Sequence, residues 1–215
     1  MKSVVAGYTP ERVAEITGVD PESLRKAAEA YANSRKAMIV YAMGITQHVA
    51  GTDNVKSCAN LAMLTGHVGY ASAGVNPLRG QNNVQGACDM GALPNVYTDY
   101  QPVADLNVKK KFEEAWGVPD LNHKPRLTLT EMLAKAEKGE LKALYVMGEN
   151  PLVSDPNSQH VMKALRKLDF LVVQDIFYSE TARFAHVILP AATFAEKQGT
   201  FTNTERRVQL SRQAM

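Results

Sequence analysis

The stretch VNPLRGQNNVQGACDMG (residues 75–91) carries Arg79 among Gln81, Asn82, Asn83 and Gln85, with little that an apolar core could use. Side-chain amides supply donors and acceptors without adding charge, and Pro77 and Gly80 bracket a turn. Such a loop can present a guanidinium whose planar fork matches a carboxylate bidentately. The residues alone leave a second reading open, a surface turn whose arginine pairs with an acidic neighbour. Three further polar clusters follow apolar runs: GITQ (44–47), GENP (148–151) and the QD of Gln174 and Asp175. A glycine just past a strand lets a ligand approach the backbone, and a carboxylate there can accept two hydrogen bonds from a base such as guanine. For Glu149 and Asp175 a capping or turn role stays equally open. Neither GxGxxG nor a P-loop is present, so no standard dinucleotide or triphosphate motif applies.

These clusters need a scaffold, and the pattern supplies strands alternating with helices. TPERVAEITG places Thr9 as cap, Pro10 at the first helical position and Gly18 as stop; Asp20 and Pro21 repeat the cap. AMIVYAM (37–43) reads as a buried strand, and residues 52–66 as a helix ending at Gly66. LNVKKKFEEAWG reads as a helix with a solvated lysine face, and LNHKPRL as a connector. Helix TLTEMLAKAEKG, strand KALYVM, a Pro-initiated helix in DPNSQHVMKALRKL, strand DFLVVQ, short helix SETARFA and strand HVILPA follow. This order predicts an α/β fold of open, mainly parallel sheets with flanking helices, which bind ligands beyond the carboxyl ends of their strands. All three clusters sit there and together favour a nucleotide-like ligand.

Composition excludes other classes. The chain of 215 residues is 45% hydrophobic, enough for one core or two small ones. A net charge of +2 gives no nucleic-acid footprint and no polybasic membrane patch. No run approaches the roughly 20 apolar residues of a membrane span, and the expected location is the cytoplasm. Cys58 and Cys88 form no CxxC pair and read as buried or loop thiols rather than metal ligands.

Taken together, MGITQHVAGTDNVKSCANLAMLTGHVGYASAGVNPLRGQNNVQGACDMGALPNVYTDYQPV, YVMGENPL, VVQDIFYSETARFAHVILPA and GTFTNTERRVQ resemble the large catalytic subunit of molybdenum- or tungsten-dependent formate dehydrogenases, in the molybdopterin oxidoreductase family. The resemblance runs through nearly the whole chain, and the RGQNNVQGACDMG block is its most specific part. It implies two molybdopterin guanine dinucleotides holding the metal, and oxidation of formate to carbon dioxide with two electrons leaving through an iron-sulfur cluster. By the same resemblance Arg79 stands at the substrate arginine. Met43, Gly44, Gln47 and Gln81 would contact one pterin dinucleotide, and Gly148, Glu149, Asn150 and Asp175 would line the other nucleotide arm.

The resemblance also marks gaps. The family's cysteine cluster for a four-iron four-sulfur centre has no counterpart here, nor has its cysteine or selenocysteine metal ligand followed by histidine. Neither Cys58 nor Cys88 stands at those positions, and none of His48, His67, His123, His160 and His186 follows a cysteine. The chain thus reads as a middle fragment, with residues 1–81 the end of a discontinuous α/β domain, 82–190 a second, dinucleotide-binding one, and 191–215 the start of a following segment. No metal ligand is assigned. The expected partners are the rest of the subunit, electron-transfer subunits and formate. The isolated fragment is expected to bind no cofactor, to be inactive, and to self-associate through an exposed apolar edge at AMIVYAM. A stand-alone nucleotide- or pterin-binding or assembly module without catalysis is the alternative.

Overall fold

A computed structural model describes residues 2–215, and the chain divides between Gly80 and Gln81 into two compact units. The first unit holds helices α1 (Lys2–Val5), α2 (Pro10–Thr17) and α3 (Pro21–Asn33), strand β1 (Met38–Tyr41), the one-turn α4 (Met43–Thr46), α5 (Gly51–Leu64) and strand β2 (Gly74–Pro77). The Thr9 hydroxyl oxygen accepts the Arg12 N–H at 3.3 Å and an Asp20 carboxylate oxygen accepts the Ser23 N–H at 2.8 Å, so both helices begin where the caps predict. Gly18, at φ +73°, ends α2 in the left-handed region. Strands β1 and β2 pair in parallel, Met38 opposite Gly74 and Tyr41 opposite Pro77. His67, 2% exposed, ties α3 to the turn after α5. Its Nε2 donates to the Tyr31 carbonyl and its Nδ1 meets the Tyr70 hydroxyl, each at 2.9 Å.

β2 corrects the loop expected at the start of residues 75–91. Backbone pairing alone makes this strand, and its proline sits last, where the next ladder donor is the N–H of Leu78. The same polar stretch ends in helix α6 (Val84–Asp89), with Cys88 buried.

The second unit continues with a short antiparallel pair, β3 (Val96–Tyr97) and β4 (Gln101–Pro102), and helices α7 (Leu106–Trp116) and α8 (Leu129–Glu137). Then come β5 (Ala143–Met147), α9 (Pro151–Ser154), α10 (Ser158–Arg166), β6 (Phe170–Asp175), a 3-10 turn at Thr181–Phe184, and β7 (Val187–Pro190). Strands β5, β6 and β7 form a parallel sheet in that order. An antiparallel hairpin, β8 (Gly199–Thr202) and β9 (Val208–Ser211), closes the chain. Residues 191–215, assigned from sequence to a following segment, thus lie in the same compact unit as 81–190.

The core of this unit lies on one face of the sheet. Val146, Leu171 and Val173 pack there against Leu133 and Ala136 of α8 and Val161, Ala164 and Leu165 of α10. Truncating a fully buried leucine such as Leu165 to alanine would cost about 2–5 kcal/mol. On the opposite face Tyr145, Met147 and Phe170 are exposed. α10 corrects the Pro-initiated helix: Asn157, not Pro156, precedes its first turn, and the Asn157 amide oxygen accepts the His160 N–H at 3.2 Å. No helix among the described residues is long and apolar enough to cross a membrane.

Candidate functional site

The carboxyl ends of β1 and β2 open on one edge because the strands are parallel. Leu78 N–H donates to the Tyr41 carbonyl at 2.7 Å, extending the pairing one step past the strands. Arg79 therefore leaves β2 at the edge where β1 gives onto Met43–Gln47. A Cβ on Gly80 would come within 3.3 Å of Met43 Cε, so the Met43 side chain lies against the Arg79–Gly80 backbone. The turn itself is tightly held. Gln47 N–H donates to the Met43 carbonyl at 2.8 Å, His48 Nε2 to Gly44 at 2.9 Å and Asn54 Nδ2 to Ile45 at 3.0 Å. Gly51 is needed for its small size: a Cβ there would sit 2.0 Å from the Thr46 carbonyl oxygen. At Gly44, by contrast, a Cβ would meet nothing within 4 Å, leaving open backbone at the strand end.

The Arg79 side chain is exposed and, among the described residues, has no acidic partner within salt-bridge range and no protein hydrogen bond. The acidic neighbour of the surface-turn reading is therefore not found there. Met43, Gly44 and Gln47 are likewise exposed, so the first unit brings these four predicted residues to one edge. Gln81 falls in the second unit, exposed in the bend before α6.

The remaining predicted residues meet at the carboxyl edge of β5 and β6. Gly148 adopts φ +62°, donates its N–H to the Gln174 carbonyl at 2.8 Å, and leaves open space where a Cβ would stand. Glu149 Oε1 accepts the Ser154 hydroxyl at 2.7 Å and the Asn150 N–H at 3.2 Å. Asp175 Oδ1 accepts the Phe177 N–H at 3.2 Å, a local turn bond. Each carboxylate thus has a turn role and keeps its second oxygen free of protein partners among the described residues. The Asn150 side chain is engaged through both of its polar atoms: Nδ2 donates to Glu180 at 2.7 Å and Oδ1 accepts from Thr181. Behind the turn, Asp155 Oδ2 is enclosed without a hydrogen-bond partner. Burial, and then the Glu149 carboxylate, push the Asp155 carboxyl above its ordinary range.

Sequence reasoning missed Glu180 and Thr181, whose polar types inside SETARFA gave no signal of a contact thirty residues back. It also missed the packing of Met43 on Gly80, which no local pattern encodes. Among the described residues no group of three or more His, Cys, Asp or Glu side chains could hold a metal.

Comparison with known proteins places these edges in context. The chain is 58% identical over its whole length to the F420-dependent formate dehydrogenase subunit alpha of Methanocaldococcus jannaschii, of which it covers 31%. It is 48% identical over 208 residues to formate dehydrogenase H of Escherichia coli, covering 97% of this chain and 29% of that protein. It therefore spans about a third of the length of the curated relatives it matches. Acetylene hydratase from Pelobacter acetylenicus shares the fold, with a TM-score of 0.70 at 20% identity over 100% of this chain and 32% of that one. The profile of the molybdopterin oxidoreductases matches residues 18–215, and the chain belongs to that family.

Proposed function

We propose that this chain supplies the substrate-binding arginine and part of the pterin-binding surface of a formate dehydrogenase catalytic subunit. The observation that carries this reading is Arg79. It is an exposed guanidinium with no protein anion beside it among the described residues, held at a parallel strand edge beside the Met43–Gln47 turn. The relatives named as formate dehydrogenases match through this region. Arg79 pairs its fork with the two oxygens of formate and so sets the direction of the C–H bond. Oxidation of formate to carbon dioxide releases one proton and two electrons; when bound, the molybdenum or tungsten held by two molybdopterin guanine dinucleotides takes up those electrons.

The residues present fit such a cofactor. Open backbone at Gly44 and at Gly148 admits a flat ligand close to the chain. Met43 and Gln47 of the first unit offer side chains to one dinucleotide; Gln81, in the second unit, is assigned to pterin contact by the resemblance alone. Gly148, Glu149 and Asp175 offer backbone and carboxylate acceptors to the base of the other, and Asn150, committed to Glu180 and Thr181, acts by holding that turn in place. The four-iron four-sulfur cluster, the metal's protein ligand and the electron-transfer subunits belong to other parts of the assembly. The test is Arg79→Ala in a full-length subunit carrying this stretch, with metal and pterin quantified. Formate kcat/KM should collapse at unchanged cofactor content; a value within about threefold of wild type at full occupancy returns Arg79 to a surface-turn role.

A further inference from the structure

Asn83 precedes α6 in the position from which an asparagine normally caps its own helix. Here it does not cap. Its backbone is left-handed, at φ +62° and ψ +16°, and its side chain makes no bond to the first turn. Instead Asn83 Oδ1 accepts the backbone N–H of Thr202, 119 residues along the chain, at 2.9 Å. Thr202 is the last residue of β8, so the bond fastens the bend 81–83 to the β8–β9 hairpin. Gly86 completes the arrangement: a Cβ there would stand 2.1 Å from Asn83 Oδ1, so only glycine leaves the amide room to fold over the helix start. Next to this bond, Asn82 lines an open hollow of about 320 Å³ with Phe194, Phe201 and Leu210.

A non-glycine residue in the left-handed region costs free energy, and a helix start without its cap costs about 1 kcal/mol more. Neither expense serves α6 itself. What it fixes is the direction in which the chain enters α6, and hence where Gln81, two residues earlier, is presented.

We propose that Asn83 is a positioning residue that sets the Gln81 bend against the β8–β9 hairpin, and that cofactor retention depends on this bond. The inference rests on the assignment of Gln81 to the pterin surface and is tested so that the two can fail separately. Asn83→Gly keeps the left-handed backbone and removes the acceptor; Asn83→Asp keeps an acceptor oxygen. In the 215-residue chain, hydrogen exchange at the Thr202 amide should accelerate at least tenfold in Asn83→Gly and return to within threefold of wild type in Asn83→Asp. In a full-length subunit, pterin content per chain should fall at least twofold in Asn83→Gly and recover in Asn83→Asp, a rescue that general loss of stability would not produce. Unchanged Thr202 exchange in Asn83→Gly, or full pterin content despite accelerated exchange, overturns the proposal. Gln81→Ala with undiminished pterin would instead remove the Gln81 assignment, leaving the exchange result to judge the bond itself.

Discussion

Asn150 Oδ1 receives both polar hydrogens of Thr181, the hydroxyl at 2.7 Å and the backbone N–H at 3.2 Å, while Thr181 Oγ1 accepts the N–H of Leu152 at 3.2 Å. Thr181 is fully buried, so this reciprocal set locks the turn after β5 to the turn after β6 without help from water. Thr181→Val keeps the shape but leaves two polar groups short of a partner, which should cost about 1–3 kcal/mol. Thr181→Ser should lose less. Urea unfolding followed by the single tryptophan, Trp116 in α7 of the same unit, checks both.

Gly44 and Gly51 make a discriminating pair. Gly51→Ala forces a Cβ onto the Thr46 carbonyl and should destabilise the first unit by about 1–3 kcal/mol, read by circular dichroism. Gly44→Ala meets nothing and should not destabilise, any change being a gain of at most about 1 kcal/mol from helix propensity. In a full-length subunit, however, Gly44→Ala should lower pterin content, because its methyl group would occupy ligand space. Undiminished content would count against Gly44 as a contact.

At Arg79 the charge and the fork are separable. Truncating one partner of a desolvated ion pair typically costs about 2–5 kcal/mol, so Arg79→Ala in a full-length subunit should lower formate kcat/KM roughly thirtyfold to several thousandfold. Arg79→Lys retains charge without the planar fork, and should preserve KM better than kcat. Steady-state kinetics at matched metal occupancy decides the order.

Asp155 gives a pH dependence of definite sign. Its carboxyl is raised in the folded state by burial first and Glu149 second, so the folded chain binds that proton more tightly than the unfolded one. Its contribution is fully favourable below the unfolded carboxylate value near pH 4 and is lost as pH rises through the folded value. Asp155→Asn should therefore stabilise the second unit at pH 7, with the gain shrinking as pH approaches 4. Paired melting curves at pH 4 and pH 7 test it; an equal shift at both would refute the assignment.

The chain by itself should purify without metal or pterin, show no formate-dependent dye reduction, and self-associate. No three-ligand metal group exists among the described residues, and the chain spans about a third of its relatives. Tyr145, Met147 and Phe170 leave one sheet face apolar and open, and Met38 and Val40 do the same on β1. Light scattering should report dimers or larger species, and Met147→Glu should shift them toward monomer. Stoichiometric molybdenum in the purified chain would overturn the first expectation.

What was legible in the sequence was local. Caps at Thr9 and Asp20 and the stop at Gly18 announce themselves because each acts within one helical turn. The parallel strands of the second unit were legible as continuous apolar runs. β2 was hidden because an edge strand can be built from backbone bonds with Asn76 and Pro77 in it. Asn157 was eclipsed by the stronger punctuation of Pro156 next to it. At the site, strand-end position could be inferred from topology, whereas the bonds Asn150–Thr181 and Asn83–Thr202 join distant residues and leave no periodic trace.

The Asn83–Thr202 bond also imposes an order in time. It joins residues 119 apart, a wider separation than any strand pairing of the three-strand sheet, so it can form only after everything between them has been made. Only then can the bend at Gln81 acquire its final course. The bond thus ties the start of the second unit to its end, and the course of the chain at Gln81 depends on a hairpin that is made last.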